Sequence, residues 1–218
     1  MPLEIERKYL DVDFACLRGA LVGAGAEDLG AHFESNVIFD TPDFAIHASG
    51  RLLRVRSQEW HDRARHVLTL KLPVPGAKDS AFKAREEREL AVESAAAMGA
   101  VLEGLGFVAV ARYEKVRSVW RLAPDRAEGS EMLVELDELP FARVVELEGE
   151  AEGLDAAARL LGLDKYEFST KSYHVLHQEW RCSRGLPHER SFVFGADERR
   201  RLRERLGLPG KAVQDIYF

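Results

Sequence analysis

The 218-residue chain has only two cysteines, Cys16 and Cys182, and they form neither a CxxC nor a zinc spacing. Two isolated thiols argue against a disulfide framework and point to a reducing, cytoplasmic setting. No apolar stretch approaches the ~20 residues needed to span a bilayer, and charges begin at Glu4, so neither a membrane span nor a secretory signal is expected. GxGxxG, Walker-type and Ser-His-Asp patterns are missing. The formal net charge of -6 lacks the basic excess of a nucleic-acid-binding surface. Of the seven histidines, only His174 and His177 share a helical face, and packing is the simpler reading of that pair.

What the sequence does have is charge, 31% of residues, with 46% apolar residues to build a core. The order of elements reads twice as strand, helix and three strands. The first pass takes strands over 3–10, 35–40, 51–57 and 66–72, with a helix over 14–25. PVPGAKDS breaks the chain between the passes. The second takes strands over 84–91, 110–122, 131–138 and 143–150, with a helix over 93–105 ending at Gly106. These two pseudo-repeated halves predict an α+β fold. Its centre is an eight-stranded antiparallel β-barrel, a tunnel, with helices packed outside and no free sheet edges. A further helix is expected over 153–161, a short strand or helix over 168–176, loop over 180–195, and a charged, solvated helix over 196–206.

The informative feature is parity. Side chains alternate faces along a strand, and charges recur two apart: Glu4, Glu6 and Lys8; Arg54 and Arg56; Glu87 and Glu89; Lys115 and Arg117; Glu135 and Asp137; Glu146 and Glu148. The other parity is often apolar, as in Leu53 and Val55 or Val145 and Leu147. One wet strand face would explain any single pair, but not the repetition through so many strands. The signs segregate as well. Arg54, Arg56, Lys71, Lys115 and Arg117 form a basic set; Glu4, Glu6, Glu135, Asp137, Glu146 and Glu148 form an acidic one. Facing into a barrel, these charges need partners. Arginine and lysine match phosphate oxygens, and clustered carboxylates suit Mg²⁺ or Mn²⁺. The combination points to a metal–polyphosphate complex.

The opening Glu4-Ile5-Glu6-Arg7-Lys8 matches the Glu-x-Glu-x-Lys signature of the CYTH, or triphosphate tunnel metalloenzyme, superfamily. DTPDFAIHASGRLLRVR, LTLKLP, REERE, YEKVRSVW, VELDELPFARVVELEGE and KSYHVL follow in the family's order. The resemblance covers Pro2 to Leu176 and looks closest to the class IV adenylyl cyclase and thiamine triphosphatase branch. It implies a triphosphate-containing small molecule as partner, Mg²⁺ or Mn²⁺ as cofactor, and no role for nucleic acid or membrane. By motif, Lys8, Arg54, Arg56, Lys71, Lys115 and Arg117 are expected on phosphate, with Lys171 closing over the substrate. Glu4, Glu6, Glu135, Asp137, Glu146 and Glu148 are expected on metal, and Lys8, Glu6, Glu148 and Lys171 at the chemistry. Glu87 and Glu89 are expected as structural partners of the arginines. The domain is expected to span 1–176, leaving 177–218 as an extension for which three uses are open: capping a tunnel mouth, forming a homodimer surface, or lying on the outside. A metal-dependent triphosphatase is the first reading of activity. An adenylyl cyclase and a non-catalytic polyphosphate- or nucleotide-binding module are the alternatives.

Overall fold

A computed structural model describes residues 3–74, 82–123 and 131–209; most of the PVPGAKDS break therefore lies outside the described residues. Eight strands carry the fold: β1 (Leu3–Leu10), β2 (Glu27–Asp40), β3 (Leu52–Glu59), β4 (Ala64–Pro73), β5 (Lys83–Val92), β6 (Val108–Leu122), β7 (Met132–Glu138) and β8 (Arg143–Glu148). They pair antiparallel in the order β5-β4-β3-β2-β6-β7-β8-β1, and β1 closes the ring on β5. The two-residue strand β9 (Phe168–Ser169) pairs with β1 at Lys8 and Tyr9, beyond the stretch that pairs with β5. The pseudo-repeat is visible in the pairing. β1 and β5 meet each other, as do β2 and β6, and each half contributes a three-strand meander. Eight strands leave an interior wide enough for side chains or one small ligand.

Among the described residues six helices lie outside the ring: α1 (Phe14–Gly23), α2 (Ala45–Ala48), α3 (Ala95–Gly104), α4 (Ala151–Leu160), α5 (Tyr173–Cys182) and α6 (Ala196–Arg205). Local chemistry sets their ends. Asp13 caps α1 through the amides of Ala15 and Cys16 at 2.9 and 3.3 Å, and Gly25 leaves that helix at φ +72°. The apolar parity of the strands faces these helices. Leu17, Leu21, Leu154 and Ala157 cover Val134, Leu136, Val145 and Leu147, while Leu102 of α3 covers Val37 and Val55. The core therefore lies between barrel and helices, and the charged parity is left for the lumen.

Three expectations need correction. β2 begins at Glu27 rather than 35, with a register shift between Asp28 and Ala31 at Gly30, φ +90°. Residues 180–182 continue α5 rather than starting a loop. The charged helix α6 is only partly solvated. Leu202 packs with Phe33 and Val116, Arg199 Nε donates to Glu114 at 2.9 Å, and Arg203 forks onto Glu59 with two bonds of 3.1 Å. Both arginines are buried. Ahead of α6, Phe192 bonds to the backbone of β6 on the side that the shorter β7 leaves bare: its amide donates to Arg112 O at 2.9 Å, and its carbonyl accepts from Glu114 N at 3.1 Å. The extension is thus stitched to the barrel wall. Removing one partner of a buried pair costs about 3–5 kcal/mol. Arg199→Ala should accordingly lower unfolding free energy by about 3 kcal/mol in urea titrations, in one cooperative transition.

Candidate active site

The lumen separates the two signs by strand. β7, β8, β1 and β5 are contiguous and carry Glu135, Asp137, Glu146, Glu148, Glu4, Glu6 and Glu87; Arg54 and Arg56 on β3, Lys71 on β4, and Lys115 and Arg117 on β6 form the basic side. Lys8, Lys83 and, on the same face of β5, Arg85 are exceptions on the acidic side, and Glu34 of β2 is the exception between the basic strands β3 and β6. Glu4, Glu6, Lys8, Arg54, Arg56 and Lys71 line one cavity of about 90 Å³, shared with Lys83, Tyr113, Lys115, Arg117 and Glu146. Most of these charges are already matched. Lys8 Nζ lies 2.6 Å from Glu6 and 2.7 Å from Glu146, and Lys71 Nζ 2.7 Å from Glu4 with Glu87 also in contact. Arg117 meets Glu135, Asp137 and Glu146, and Lys115 meets Asp137 at 3.0 Å. Glu6 illustrates the balance: burial pushes its carboxyl up, but Lys8 and Lys83 outweigh that and hold it at about 2.

Two groups are left over. Arg54 is buried, donates to the hydroxyls of Tyr113 at 3.0 Å and Thr69 at 3.4 Å, and has no carboxylate partner among the described residues; its Nε has no hydrogen-bond partner. Glu148 likewise has no ion-pair partner among the described residues. Its carboxyl is pushed up to about 7 by burial and by the charges of Glu4, Glu146 and Glu6, against the pull of Arg117. β3 and β8 stand four places apart in the ring of eight, so this lone cation and lone acid come from opposite walls. Like charges even pair across strands, Glu6 with Glu148 and Glu135 with Glu146, an arrangement that costs stability unless a cation offsets it.

The acidic wall suits a hard divalent cation in donor chemistry, being all carboxylate oxygen. Among the described residues no three potential ligands are gathered into a ready coordination sphere. As placed, these carboxylates form no closed protein cage; one or two of them at a time could serve as oxygen ligands.

The remaining candidates fall elsewhere. Asp137 is enclosed by Arg117, Lys115 and the hydroxyl of Tyr173, which donates to it at 2.5 Å, so it positions those groups. Glu89 is exposed and pairs with Arg65 at 3.4 Å, and Glu87 contacts Lys71; neither serves Arg54 or Arg56 as an ion-pair partner. Lys171 is exposed, 2.6 Å from Glu179, and outside the cavity lining. In its place Tyr173 reaches the lumen, its ring centre 5.2 Å from Lys8 Nζ and 5.5 Å from Lys115 Nζ. Four lumen residues are additions to the expected set. Glu34, 3.5 Å from both Arg56 and Lys115, and Asn36, which accepts from Arg56 Nε at 3.1 Å, belong to the alternation of β2. Lys83, 2.5 Å from Glu6, sits one residue before the expected start of β5. Tyr173 carries no charge pattern to reveal it.

Comparison with known proteins adds the lineage. No curated protein matches the sequence. Among solved structures, a candidate adenylate cyclase from Vibrio parahaemolyticus aligns at TM-score 0.62 and 18% identity, over 80% of this chain and 97% of that one. The PH1819 protein of Pyrococcus horikoshii aligns at 0.62 and 19%, over 81% and 98%. A candidate adenylyl cyclase from Hippeastrum with a dominant triphosphatase activity aligns at 0.58 and 22%, over 86% and 98%. At these identities the likeness shows a shared fold. The profile of the CYTH domain matches residues 2–173, and the chain therefore belongs to the CYTH domain family.

Proposed function

We propose that this chain is a divalent-metal-dependent triphosphatase that holds its substrate in the barrel lumen. The observation that carries the reading is Arg54, a buried guanidinium facing the cavity with no carboxylate within ion-pair distance among the described residues. A buried cation without a partner is costly, and a phosphate oxygen is the ligand that its planar fork fits. Arg56 and Lys71 flank it on the same wall.

The rest of the lumen supports exchange rather than simple addition. A metal–triphosphate complex carries both signs, so carboxylates such as Glu4, Glu6 and Glu146 can turn to the cation while Lys71 and Lys8 turn to phosphate. No charge is then stranded, and Glu148 gains the cationic partner it lacks. A bound Mg²⁺ or Mn²⁺ would neutralise phosphate charge and polarise the bond being broken. Arg54, Arg56, Lys115 and Arg117 would hold the phosphates in line and stabilise charge developing on their oxygens. The reading of the Hippeastrum relative as mainly a triphosphatase favours hydrolysis.

The test is to incubate the protein with Mg²⁺ or Mn²⁺ and tripolyphosphate, thiamine triphosphate or ATP, and to follow phosphate, pyrophosphate and cyclic AMP. Phosphate release is the expected result. Cyclic AMP with pyrophosphate would replace the hydrolase by a cyclase, and tight binding without turnover would leave a binding module.

Glu148 also sets a pH dependence. Below about 7 its carboxyl holds a proton, which an arriving cation must displace. Mn²⁺ affinity should rise about tenfold per pH unit up to about 7 and flatten above it. Titrations at pH 6, 7 and 8, in buffers of different ionisation heat, should show more protons released at pH 6 than at pH 8. An affinity independent of pH would remove Glu148 from the metal site.

A further inference from the structure

On the outside of the barrel the helices leave a gap. Between α1 and α6 a recess of about 390 Å³ reaches down to the strands. Its floor is Ala31 of β2, Val116 of β6 and Leu136 of β7, with the buried hydroxyl residue Ser118 among them. Phe14 of α1 forms one side wall and Leu206, the residue after α6, the other. These strand residues belong to the outward parity. Val116 alternates with the lumen residues Lys115 and Arg117, and Leu136 with Glu135 and Asp137. One sheet therefore separates the recess from the tunnel, and it shares no lining residue with the cavity inside.

Three arginines rim this floor: Arg18 of α1, Arg143 at the start of β8 and Arg205 of α6. One acid, Glu138, stands among the lining residues, and Arg205 takes it at 2.7 Å. Arg18 and Arg143 have no carboxylate within ion-pair distance among the described residues; uncharged groups hold them instead. Arg18 donates to Ser118 Oγ at 3.0 Å, and the Arg143 guanidinium lies 5.8 Å from the centre of the Phe14 ring. Each contact leaves most of the guanidinium donors free. The rim thus carries an excess of positive charge, in a chain whose net charge is -6. Arginines scattered over a surface are simply hydrated. These converge from three elements on one apolar floor.

We infer that this recess binds a small organic dianion with an apolar body, an aryl phosphate monoester being the type, at a site distinct from the tunnel. The apolar part lies on Val116 and Leu136. The anionic head takes the free donors of Arg18 and Arg143, whose planar forks match phosphate oxygens. The Arg205–Glu138 pair closes the recess on the α6 side. The volume falls within the range of small-molecule sites, about 300–1,000 Å³. Neither half of such a ligand fits alone: a bare inorganic anion leaves the floor wet, and a neutral apolar molecule leaves the arginines unused. The site also depends on the extension. α6 lies beyond the family match, which ends at residue 173, and reaches the recess because Arg199 and Arg203 tie it to the barrel wall.

The experiment titrates 1-naphthyl phosphate, followed by its fluorescence, into the full-length protein. Binding should be saturable and one-to-one, and at least about tenfold tighter than that of uncharged 1-naphthol. The double variant Arg18→Gln, Arg143→Gln changes two exposed side chains and leaves the core intact. It should weaken the phosphate ester by about tenfold or more and 1-naphthol by less than about threefold. Repeating the titration with Mn²⁺ and excess imidotriphosphate, a tunnel ligand under the reading above, should leave the wild-type affinity within about threefold, because the two sites are on opposite faces of the sheet. Absence of saturable binding, an affinity unchanged in the double variant, or equal binding of 1-naphthol would overturn the site. Displacement by imidotriphosphate would place the probe in the tunnel and overturn it too.

Discussion

Glu148→Gln should make the metal-free protein more stable and leave it at least about a hundredfold less active. The two effects have one origin. Burial and the neighbouring carboxylates raise the Glu148 carboxyl to about 7, whereas in the unfolded chain it titrates near the ordinary glutamate value of about 4.3. A carboxyl raised in this way costs nothing below the unfolded value, because it is protonated in both states. The penalty grows as pH rises and is complete above about 7. A difference of this size corresponds to roughly 3–4 kcal/mol. Glutamine keeps the shape and removes the charge. Urea unfolding at pH 8 should therefore show the variant more stable by about that amount, with the gap closing by about pH 4. A residue kept for stability would behave in the opposite way. If the variant were less stable at pH 8 and fully active, Glu148 would have neither the environment nor the role assigned here.

The second large effect concerns the arginines. Arg54→Met should lower kcat/KM by about 10²- to 10³-fold, the scale for removing one preorganised donor from a transition state, with stability changed by less than about 1 kcal/mol. Exchanging an unpaired buried cation for a similar apolar side chain is often neutral or favourable. Arg117→Met should lose activity too, but at a cost of about 3–5 kcal/mol in stability, because it strands Glu135 and takes one partner each from Asp137 and Glu146, which keep Lys115 and Lys8. Two arginines in one lumen are thus separable by denaturation: one has no carboxylate partner among the described residues, the other also holds the wall together. Equal destabilisation by both substitutions would mean that Arg54 has a structural partner and is no anion site.

Much of this was legible in the sequence because a barrel imposes a period of two. Charges at Arg54 and Arg56, or Glu146 and Glu148, can share a face only on a strand, and the apolar residues between them need helices to cover them. The strand–helix–strand–strand–strand repeat then fixes the count of eight. What escaped had no periodic signature. The irregularity at Gly30 hid the first half of β2, and with it Glu34, which sits between Arg56 and Lys115. Lys83 fell one residue outside its predicted strand. Lys171, placed over the substrate by motif, instead pairs with Glu179 outside the cavity lining, while Tyr173 at the start of α5 is the side chain that enters the lumen. The charge run of α6 looked solvated because the carboxylates of Glu59 and Glu114, which bury Arg203 and Arg199, lie far back in the chain. Composition reports that charges exist; only the fold reports which of them are already matched.

That residue of unmatched charge is best probed by titrating a non-hydrolysable triphosphate, imidotriphosphate, with and without Mn²⁺, into wild type and Arg54→Met at pH 8. Saturable binding to wild type that strengthens with Mn²⁺, and that weakens at least tenfold in the variant, is the predicted result. Binding indifferent to both the cation and Arg54 would contradict it.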